Sequence, residues 1–372
     1  MDNLPGFNSP KVKIDVEKLL AIAQAVVSRG EIIAVINDID LTVSSGGIRG
    51  EDDPRKTTIY FKSAKALREI EHHGHKIGFI SNRSGSQIAR MSRDADIKNP
   101  SIIGTYGFET YLINSHKSII DDRFLPYAAD ISNLLASLES FVLEYTGHNK
   151  LISPGPEAAI PYDSDDIVLE RKGVCEQFPN GLAALYNLNL INPEKREDLA
   201  QAIEEKYKSE ISKIMQSQHM LATALLRIWG LNKERTRAST PGRYSIKFEP
   251  LLKQSKAYGM VNLLNSIRNN LPDKQRIGMI TYAGDSDQDA QAMLALKQIV
   301  KFHNEDYIAH NPIHAYNICV KPDHMEKDAY RESDLIVEGV EGYAEVLEEL
   351  AKTVSLNTSP FLPINFMQFF RI

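Results

Sequence analysis

Two carboxylates placed two residues apart are the part of this sequence best suited to chemistry. Asp38 and Asp40 follow the apolar run IIAVI, and Thr42 comes two residues later. Carboxylates are common at the ends of strands because loops are polar, so the pair alone predicts little. A carboxylate can nevertheless attack phosphorus, and a second one can transfer a proton to the leaving group. Further groups of the right kind decide whether the pair has this role.

Three such groups follow along the chain. Ser81 ends the apolar run KIGFI, and Lys256 begins a predicted helix. Lys253 is the alternative lysine, and Lys256 is favoured because the helix starts there. The loop AGDSDQD then carries Asp285 and Asp289. In an open α/β sheet, ligands bind at the carboxyl ends of the strands. Two aspartates, a hydroxyl, a lysine and a second acidic loop, in this order, are the parts needed to move a phosphoryl group through an aspartyl phosphate.

This chemistry requires a divalent cation. A carboxylate that approaches a phosphate dianion to about 4 Å is repelled by several kcal/mol in a site of intermediate dielectric. Mg²⁺ removes this obstacle, and it binds hard oxygen ligands while keeping several waters. Asp38 and Asp285 are the best carboxylate ligands in the sequence. Asp289 is either a further ligand or the residue that holds a metal-bound water.

The other groups are predicted to have separate roles. Asp38 is the nucleophile, whereas Asp40, in the loop after the strand, protonates the leaving alkoxide and then activates water. Ser81 and the backbone N–H groups after it would bind the phosphoryl oxygens. Lys256 would neutralise Asp38 and the charge that develops during transfer. Asp287, by contrast, is better suited to capping the following helix than to binding metal.

The elements that must position these groups predict an α/β fold. The run Ile32 to Ile36 is apolar on both faces, as in the central strand of a parallel sheet. Similar runs alternate with segments of helical spacing such as DVEKLLAIAQAVVSRG, FKSAKALREIEHHG and SGSQIARMSRDAD. Strands that alternate with helices imply right-handed crossovers and a sheet covered on both faces. We therefore predict a Rossmann-like parallel sheet core.

The pattern changes in the middle of the chain. After residue 123 come a helix (ADISNLLASLESFVLEYTG), a strand (DIVLERKGV) and a long charged helical region over 192–230. The first pattern returns with the strand RYSIKFEPL. The sequence thus predicts a catalytic core of 1–123 and 244–372, interrupted by an inserted α/β domain of 124–243.

In kind and order, these motifs resemble those of the haloacid dehalogenase superfamily of phosphatases, over nearly all of the α/β core. The insert lies between the Ser81 and Lys256 motifs, where some members carry a large α/β cap that closes over small phosphorylated substrates. Within that group the sequence is most similar to the trehalose-6-phosphate phosphatases. ISNRSGSQIARM resembles their strand ending in Ser-Gly-Arg, IGTYGFET their Gly-x-His-Gly-x-Glu stretch, and VLERKGV the cap strand whose Glu-x-Lys-Gly segment contacts the sugar.

The resemblance implies a haloacid dehalogenase fold, a Mg²⁺ cofactor and a set of substrate contacts. It implies the backbone carbonyl of Asp40 as a further metal ligand. Glu170 and Lys172 are implied to recognise sugar hydroxyls, and the implied substrate-binding set is completed by Thr42, Asn82 and Arg83. The chain departs from the family at Leu41 and Asn82, where glycine is usual, and at Tyr106, where histidine is common.

The favoured function is therefore Mg²⁺-dependent hydrolysis of a sugar phosphate through an aspartyl phosphate. Trehalose 6-phosphate, or a related disaccharide or glycoside phosphate, is the expected substrate. A phosphomutase of the phosphohexomutase type is the alternative in the same fold, because mutases and phosphatases share every core motif. A regulatory protein that binds phosphate without turnover is a further alternative.

Composition limits the other classes of function. The 372 residues are 42% hydrophobic and 25% charged, within the globular range. A formal net charge of -6 argues against a nucleic-acid partner. Apolar runs of membrane-spanning length and a signal-peptide pattern are missing from the sequence, so we expect a cytoplasmic protein without a membrane partner. Cys175 and Cys319 lack metal-ligand spacing and are expected to be ordinary thiols. The sequence leaves the oligomeric state open.

Overall fold

The computed structural model describes residues 10–44, 58–147, 151, 168–187, 198–199, 201–202, 205–206, 226–229, 245–250, 255–273, 275–306, 312–321 and 327–357. Within these residues the strands form an eight-stranded sheet and a four-stranded sheet. In chain order the strands are β1 Ile32–Asn37, β2 Lys76–Ile80, β3 Ser101–Gly104, β4 Glu109–Leu112, β5 Lys117–Ile120, β6 Val168–Lys172, β7 Ala183–Asn187, β8 Leu226–Trp229, β9 Ser245–Pro250, β10 Ile277–Gly284, β11 His314–Lys321 and β12 Leu335–Glu338.

The larger sheet has the strand order β12-β11-β10-β1-β2-β3-β4-β5. The six strands from β12 to β3 are parallel, whereas β4 and β5 add an antiparallel edge. Every residue of the central strand β1 is buried, which explains why its sequence is apolar on both faces. This architecture confirms the predicted α/β fold class.

Helices cover both faces of the larger sheet. In chain order the described helices are α1 Pro10–Ser28, α2 Phe61–His72, α3 Gly85–Asp94, α4 Ala128–Thr146, α5 Ser255–Asn269, α6 Asp287–Asp306, α7 Lys327–Glu332 and α8 Gly339–Asn357. Buried side chains of α1, α2, α3 and α8 share one apolar cluster on one face. Side chains of α5 and α6 share another cluster on the other face. None of the helices in the described segments has the length and apolar character of a membrane span.

The smaller sheet is antiparallel and has the order β6-β7-β9-β8. Its buried residues Leu169, Leu182 and Tyr186 share an apolar cluster with α4. The same cluster includes Phe108 and Ile120 from the antiparallel edge of the larger sheet. The two sheets are therefore joined by a continuous apolar contact.

The structure corrects two sequence predictions in this region and adds a strand that was not predicted. The strand RYSIKFEPL forms as β9 but pairs with β7 and β8, so its placement in the core was wrong. The end of the predicted helical region, Leu226–Trp229, is strand β8. β7 was not predicted at all. These short segments are recognisable as strands only through their mutual pairing, which local periodicity does not reveal. The other predicted domain limits remain a prediction.

Candidate active site

The site is built where the central parallel strands end. Asp38 follows β1, Ser81 follows the neighbouring β2, and Asp285 follows β10 on the other side of β1. The Asp38 N–H donates to the carbonyl of Ala283 at 2.9 Å, which ties the Asp38 loop to β10. Parallel neighbours end at the same edge of a sheet. The predicted convergence of these three motifs follows from this topology.

Lys256 lies between two of the predicted carboxylates. It is the second residue of α5 and is 1% exposed. Its Nζ is 3.2 Å from Asp38 Oδ1 and donates to Asp289 Oδ1 at 2.7 Å. Burial would lower the pKa of Lys256, but Asp289 and Asp38 outweigh burial and raise it above its ordinary value. The amine is therefore a fixed positive charge at Asp38. Lys253, the alternative lysine, lies outside the described residues.

Asp38, Asp285 and Asp289 form a carboxylate cluster that could hold a metal ion, with one oxygen from each within 4.8 Å of the others. Burial raises the pKa of Asp38 to about 7, with Lys256 opposing the shift and Asp289 and Asp40 adding to it. Burial also raises the pKa of Asp285, and the charges of Asp289 and Asp38 raise it further. These shifts express the cost of buried like charges, which a divalent cation relieves. Hard carboxylate oxygens are ligands that suit Mg²⁺.

Asp289 differs from the other two carboxylates. Burial would raise its pKa, but the charge and hydrogen bond of Lys256, with bonds from Ser286 and Tyr282, hold the pKa below its ordinary value. The Tyr282 hydroxyl donates to Asp289 Oδ1 at 2.5 Å. Tyr282 was not predicted, although a hydroxyl two residues before Gly284 in a buried strand was an available signal.

Asp40 is paired with Arg83. Arg83 Nε donates to Asp40 Oδ2 at 2.9 Å, and Nη2 donates to Oδ1 at 2.7 Å. The Asp40 side chain is 39% exposed. Partial burial raises its pKa, but the charge and hydrogen bonds of Arg83 outweigh this effect and lower it overall. Leu41, which follows, has a left-handed backbone (φ 58°), which explains why glycine is suited to this position.

The loop after β2 contains the remaining core residues of the prediction. Ser81 is buried, and its Oγ accepts from the Arg83 N–H at 3.4 Å. The Asn82 side chain donates to Gln288 at 3.0 Å. The Thr42 hydroxyl is buried and has no hydrogen-bond partner among the described residues. A phosphoryl oxygen or a water would satisfy such a group.

Two residues of the smaller sheet reach this loop. Lys172 Nζ donates to the backbone carbonyl of Asn82 at 2.9 Å and lies 3.7 Å from Glu170. The same ammonium lies 5.3 Å from the centre of the Tyr106 ring, within cation–π range. Both Glu170 and Lys172 are less than a tenth exposed. The structure thus places the predicted sugar-binding pair beside the Asp40 side of the site.

The turn that carries the Tyr106 ring has a left-handed backbone, which was not predicted from the sequence. Thr105 and Tyr106 both have left-handed φ angles, of 45° and 62°. For a β-branched residue such as Thr105 this is a rare conformation. Glu109 holds the turn in place, because its carboxylate accepts from the Thr105 hydroxyl at 2.5 Å and from the Gly85 N–H at 2.8 Å. The turn fixes the Tyr106 ring against Lys172.

Asp287 and the two cysteines lie apart from this constellation. Asp287 is exposed and is the first residue of α6, so it follows the cap position instead of occupying it. Cys319 is buried and Cys175 is partly buried, and neither forms a disulfide.

Comparison with known proteins supports the fold but assigns no family. No protein-family model and no curated protein matches the sequence. Among solved structures, the C-terminal domain of C. albicans trehalose-6-phosphate phosphatase is 14% identical, with a TM-score of 0.54 over 94% of this chain and 98% of that chain. Aspergillus fumigatus trehalose-6-phosphate phosphatase is 12% identical over 91% of this chain and 97% of that chain, with a TM-score of 0.45. A haloacid dehalogenase-like hydrolase from Bacteroides thetaiotaomicron is 13% identical over 86% of this chain and 100% of that chain, with a TM-score of 0.42. Of these three, the C. albicans domain has a TM-score in the range of a shared fold, and at this identity the likeness concerns the fold alone.

Proposed function

We propose that this protein is a Mg²⁺-dependent phosphatase that hydrolyses a sugar phosphate through an aspartyl phosphate on Asp38. The proposal rests on one observation, which is how Asp38 is buried and what surrounds it. The carboxylate is 5% exposed, lies 3.2 Å from the ammonium of Lys256, and belongs to a three-aspartate cluster formed by the ends of β1 and β10 and the start of α6. A buried nucleophile with a fixed cation and a metal-ligand cluster is what attack on a phosphate dianion requires.

The chemistry of the donor set suits Mg²⁺. Asp38 and Asp285 would hold the ion, and the backbone carbonyl of Asp40 remains a predicted ligand. When bound, Mg²⁺ would neutralise charge on the phosphate and on the nucleophile. Lys256, 3.2 Å from Asp38, would offset part of the same charge.

The first step is attack of an Asp38 carboxylate oxygen on phosphorus. The bond from phosphorus to the sugar oxygen breaks, and Asp40 in its acid form gives its proton to that oxygen. The buried Thr42 hydroxyl and the N–H groups of the Ser81 loop would donate to the phosphoryl oxygens. Because Arg83 is bound to both oxygens of Asp40 and lowers its pKa, the acid form requires that Arg83 release one of these oxygens when the substrate binds.

The second step removes the phosphoryl group from Asp38. Asp40, now a carboxylate, takes a proton from a water that attacks phosphorus, and the acyl-phosphate bond breaks. Phosphate leaves, Asp38 is regenerated as a carboxylate, and Asp40 is again an acid.

Trehalose 6-phosphate, or a related disaccharide or glycoside phosphate, is the proposed substrate. Support comes from the sequence resemblance, from the shared fold with the C. albicans domain, and from the position of Glu170 and Lys172. These two side chains lie near Asp40, where the leaving sugar would be. Their carboxylate and ammonium groups are suited to hydrogen bonds with sugar hydroxyls. The inserted domain of 124–243, extended through β9, would serve as the cap.

The test is phosphate release from a panel of sugar phosphates, with Mg²⁺ or with EDTA. The panel contains trehalose 6-phosphate, sucrose 6-phosphate and a glucosylglycerate phosphate. We expect release from at least one disaccharide or glycoside phosphate, and its loss in EDTA. Failure of the whole panel with Mg²⁺ would contradict the proposal and favour a protein that binds phosphate without turnover.

Oxygen labelling separates the phosphatase from the mutase. In ¹⁸O-labelled water, hydrolysis through Asp38 puts one label into each phosphate released. A mutase would instead return an isomeric sugar phosphate without label. An isomer without labelled phosphate would therefore show that the intermediate is transferred back to the sugar.

A further inference from the structure

We propose that Asp289 is a positioning residue that holds Lys256 and the loop after β10, and that it does not bind the metal ion directly. The inference rests on the proposed function, in which Asp38 and Asp285 hold Mg²⁺. The three carboxylates have oxygens within 4.8 Å of one another, so proximity alone does not separate a ligand from a neighbour. The hydrogen bonds that each carboxylate already accepts do distinguish a ligand from a neighbour.

The oxygens of Asp289 are fully used by donors from the protein. Oδ1 accepts from Lys256 Nζ at 2.7 Å and from Tyr282 Oη at 2.5 Å. Oδ2 accepts from the N–H of Asp285 at 3.2 Å, the N–H of Ser286 at 3.0 Å and the hydroxyl of Ser286 at 2.6 Å. An ionised carboxylate has about four lone-pair sites. Five donors therefore leave no site for a metal ion.

The position of Asp289 is also fixed by close packing. The residue has no exposed surface. A Cβ atom on Gly284 would lie 2.3 Å from Asp289 Cγ, so the carboxyl group lies directly against the last residue of β10. The side chain cannot turn toward a metal ion without breaking its hydrogen bonds. Only glycine at position 284 permits this contact.

Asp285 has the opposite character. Its carboxylate accepts no hydrogen bond from any residue that the structure describes, although the side chain is buried beside two other carboxylates. A buried carboxylate without donors is destabilised until a cation or a donor reaches it. Asp285 is thus available as a ligand, whereas Asp289 is occupied.

The contacts of Asp289 give it a specific task. Through Oδ1 it holds the ammonium of Lys256, which lies 3.2 Å from Asp38 on its other side. Through Oδ2 it holds the backbone of Asp285 and Ser286, and so the position of the Asp285 ligand. Tyr282 acts through Asp289 and is a second positioning residue.

The first test compares two variants without metal. In EDTA we expect Asp289→Asn to lower the melting temperature, because an amide offers one acceptor oxygen where five donors converge. Asp285→Asn removes a repulsive buried charge and should raise the melting temperature or leave it unchanged. A direct ligand role predicts a rise for both variants. A higher melting temperature for Asp289→Asn than for the wild type would overturn the proposal.

The second test measures Mg²⁺ binding by calorimetry. If Asp289 bound the ion, the Tyr282 hydroxyl would compete for Oδ1, and Tyr282→Phe would tighten binding. If Asp289 is a positioning residue, Tyr282→Phe loosens the support of the site and weakens Mg²⁺ binding by about 10-fold, as the loss of a residue that orients metal ligands typically does. Tyr316→Phe is the matched control, because that buried hydroxyl donates to the Asp15 carbonyl instead. Tighter or unchanged Mg²⁺ binding in Tyr282→Phe would contradict the proposal.

Failure of the proposed function can be recognised separately. A wild-type protein that binds no Mg²⁺ would contradict the metal-dependent function, while the unfolding measurements in EDTA would still decide the role of Asp289. If Asp289→Asn does not fold, Ser286→Ala in EDTA replaces it. The loss of the Ser286 hydroxyl should then lower the melting temperature, and an unchanged value would count against the proposal.

Discussion

The two sides of the candidate site are built from different parts of the molecule. The side proposed to bind metal, or metal side, consists of Asp38, Asp285, Asp289 and Lys256. These residues come from the ends of β1 and β10, from α6 and from α5, and are each at most 8% exposed. The leaving-group side consists of Asp40, Arg83, Asn82 and Lys172. It joins two loops to a strand of the smaller sheet, and the Asp40 side chain is 39% exposed.

This difference assigns different tasks to the two sides. Attack on phosphorus is the same for every phosphate monoester, and it benefits from a dry site with fixed charges. The leaving group changes with the substrate and must enter from solvent. We therefore expect changes on the metal side to affect all substrates alike, and changes on the leaving-group side to affect some substrates more than others.

The largest effect is expected for Asp38→Asn on the metal side. The amide lacks a nucleophilic oxygen anion, so phosphate release should fall by at least about 10³-fold for every substrate. Phosphate release from sugar phosphates and from p-nitrophenyl phosphate would be measured side by side. A residual rate within 10-fold of the wild type would show that Asp38 is not the nucleophile, provided that the melting temperature shows an intact fold.

Asp40→Asn, on the leaving-group side, should lower the turnover of sugar phosphates more than the turnover of p-nitrophenyl phosphate. A sugar alkoxide needs a proton to leave, whereas p-nitrophenolate leaves without one. We expect a loss on the order of 10²-fold for sugar phosphates. With p-nitrophenyl phosphate, a burst of p-nitrophenol should precede slow turnover, because Asp40 is also the base of the second step. Equal losses without a burst would contradict separate roles for Asp38 and Asp40.

The two sides can be compared by their activity at different pH only where the protein is folded. We expect His75 to set the lower end of this pH range. Its Nδ1 accepts from the Ile33 N–H at 3.1 Å, and burial, with the charge of His73, lowers its pKa to about 4. The unfolded chain therefore binds more protons below about pH 6.5, so stability falls as the pH falls toward 4. We expect about 2 kcal/mol less stability at pH 5 than at pH 7.5 from this group.

Urea unfolding at the two pH values measures this effect. His75→Asn keeps an acceptor near the Ile33 N–H but does not titrate, so its stability should depend less on pH. If the variant and the wild type lose the same free energy of unfolding, another group controls the acid limit. Activity profiles of the two sides are then compared above this limit.

Lys172→Met tests the contribution of the smaller sheet. Methionine retains much of the apolar length but removes the ammonium that contacts the Asn82 carbonyl and the Tyr106 ring. We expect KM for sugar phosphates to rise by about 10-fold, the equivalent of one charge-assisted hydrogen bond. Mg²⁺ affinity and turnover of p-nitrophenyl phosphate should change little. A loss of Mg²⁺ affinity would show that the two sides are not independent.

The metal side was largely predictable from the sequence, and the leaving-group side was less so. Asp38 and Asp285 each end a buried strand, and parallel strands bring their ends together. The contact of Lys172 with the Asn82 carbonyl depends on how the smaller sheet is placed, and β7 to β9 are defined only by pairing between distant segments. The left-handed turn at Thr105 and Tyr106 gave no residue signal, because neither residue type favours it.

The smallest effect concerns Leu41, which joins the two sides. Its left-handed backbone (φ 58°) costs about 1 kcal/mol relative to glycine. We expect Leu41→Gly to be more stable than Leu41→Ala by about this amount in urea unfolding, because alanine keeps the strain and both variants lose the leucine side chain. Glycine also frees the backbone between Asp38 and Asp40. Turnover of sugar phosphates should therefore fall more than turnover of p-nitrophenyl phosphate, since proton transfer depends on where Asp40 points. If glycine lowered both rates equally, Leu41 would instead support the position of Asp38. The loop from Asp38 to Asp40 would then belong as a whole to the metal side.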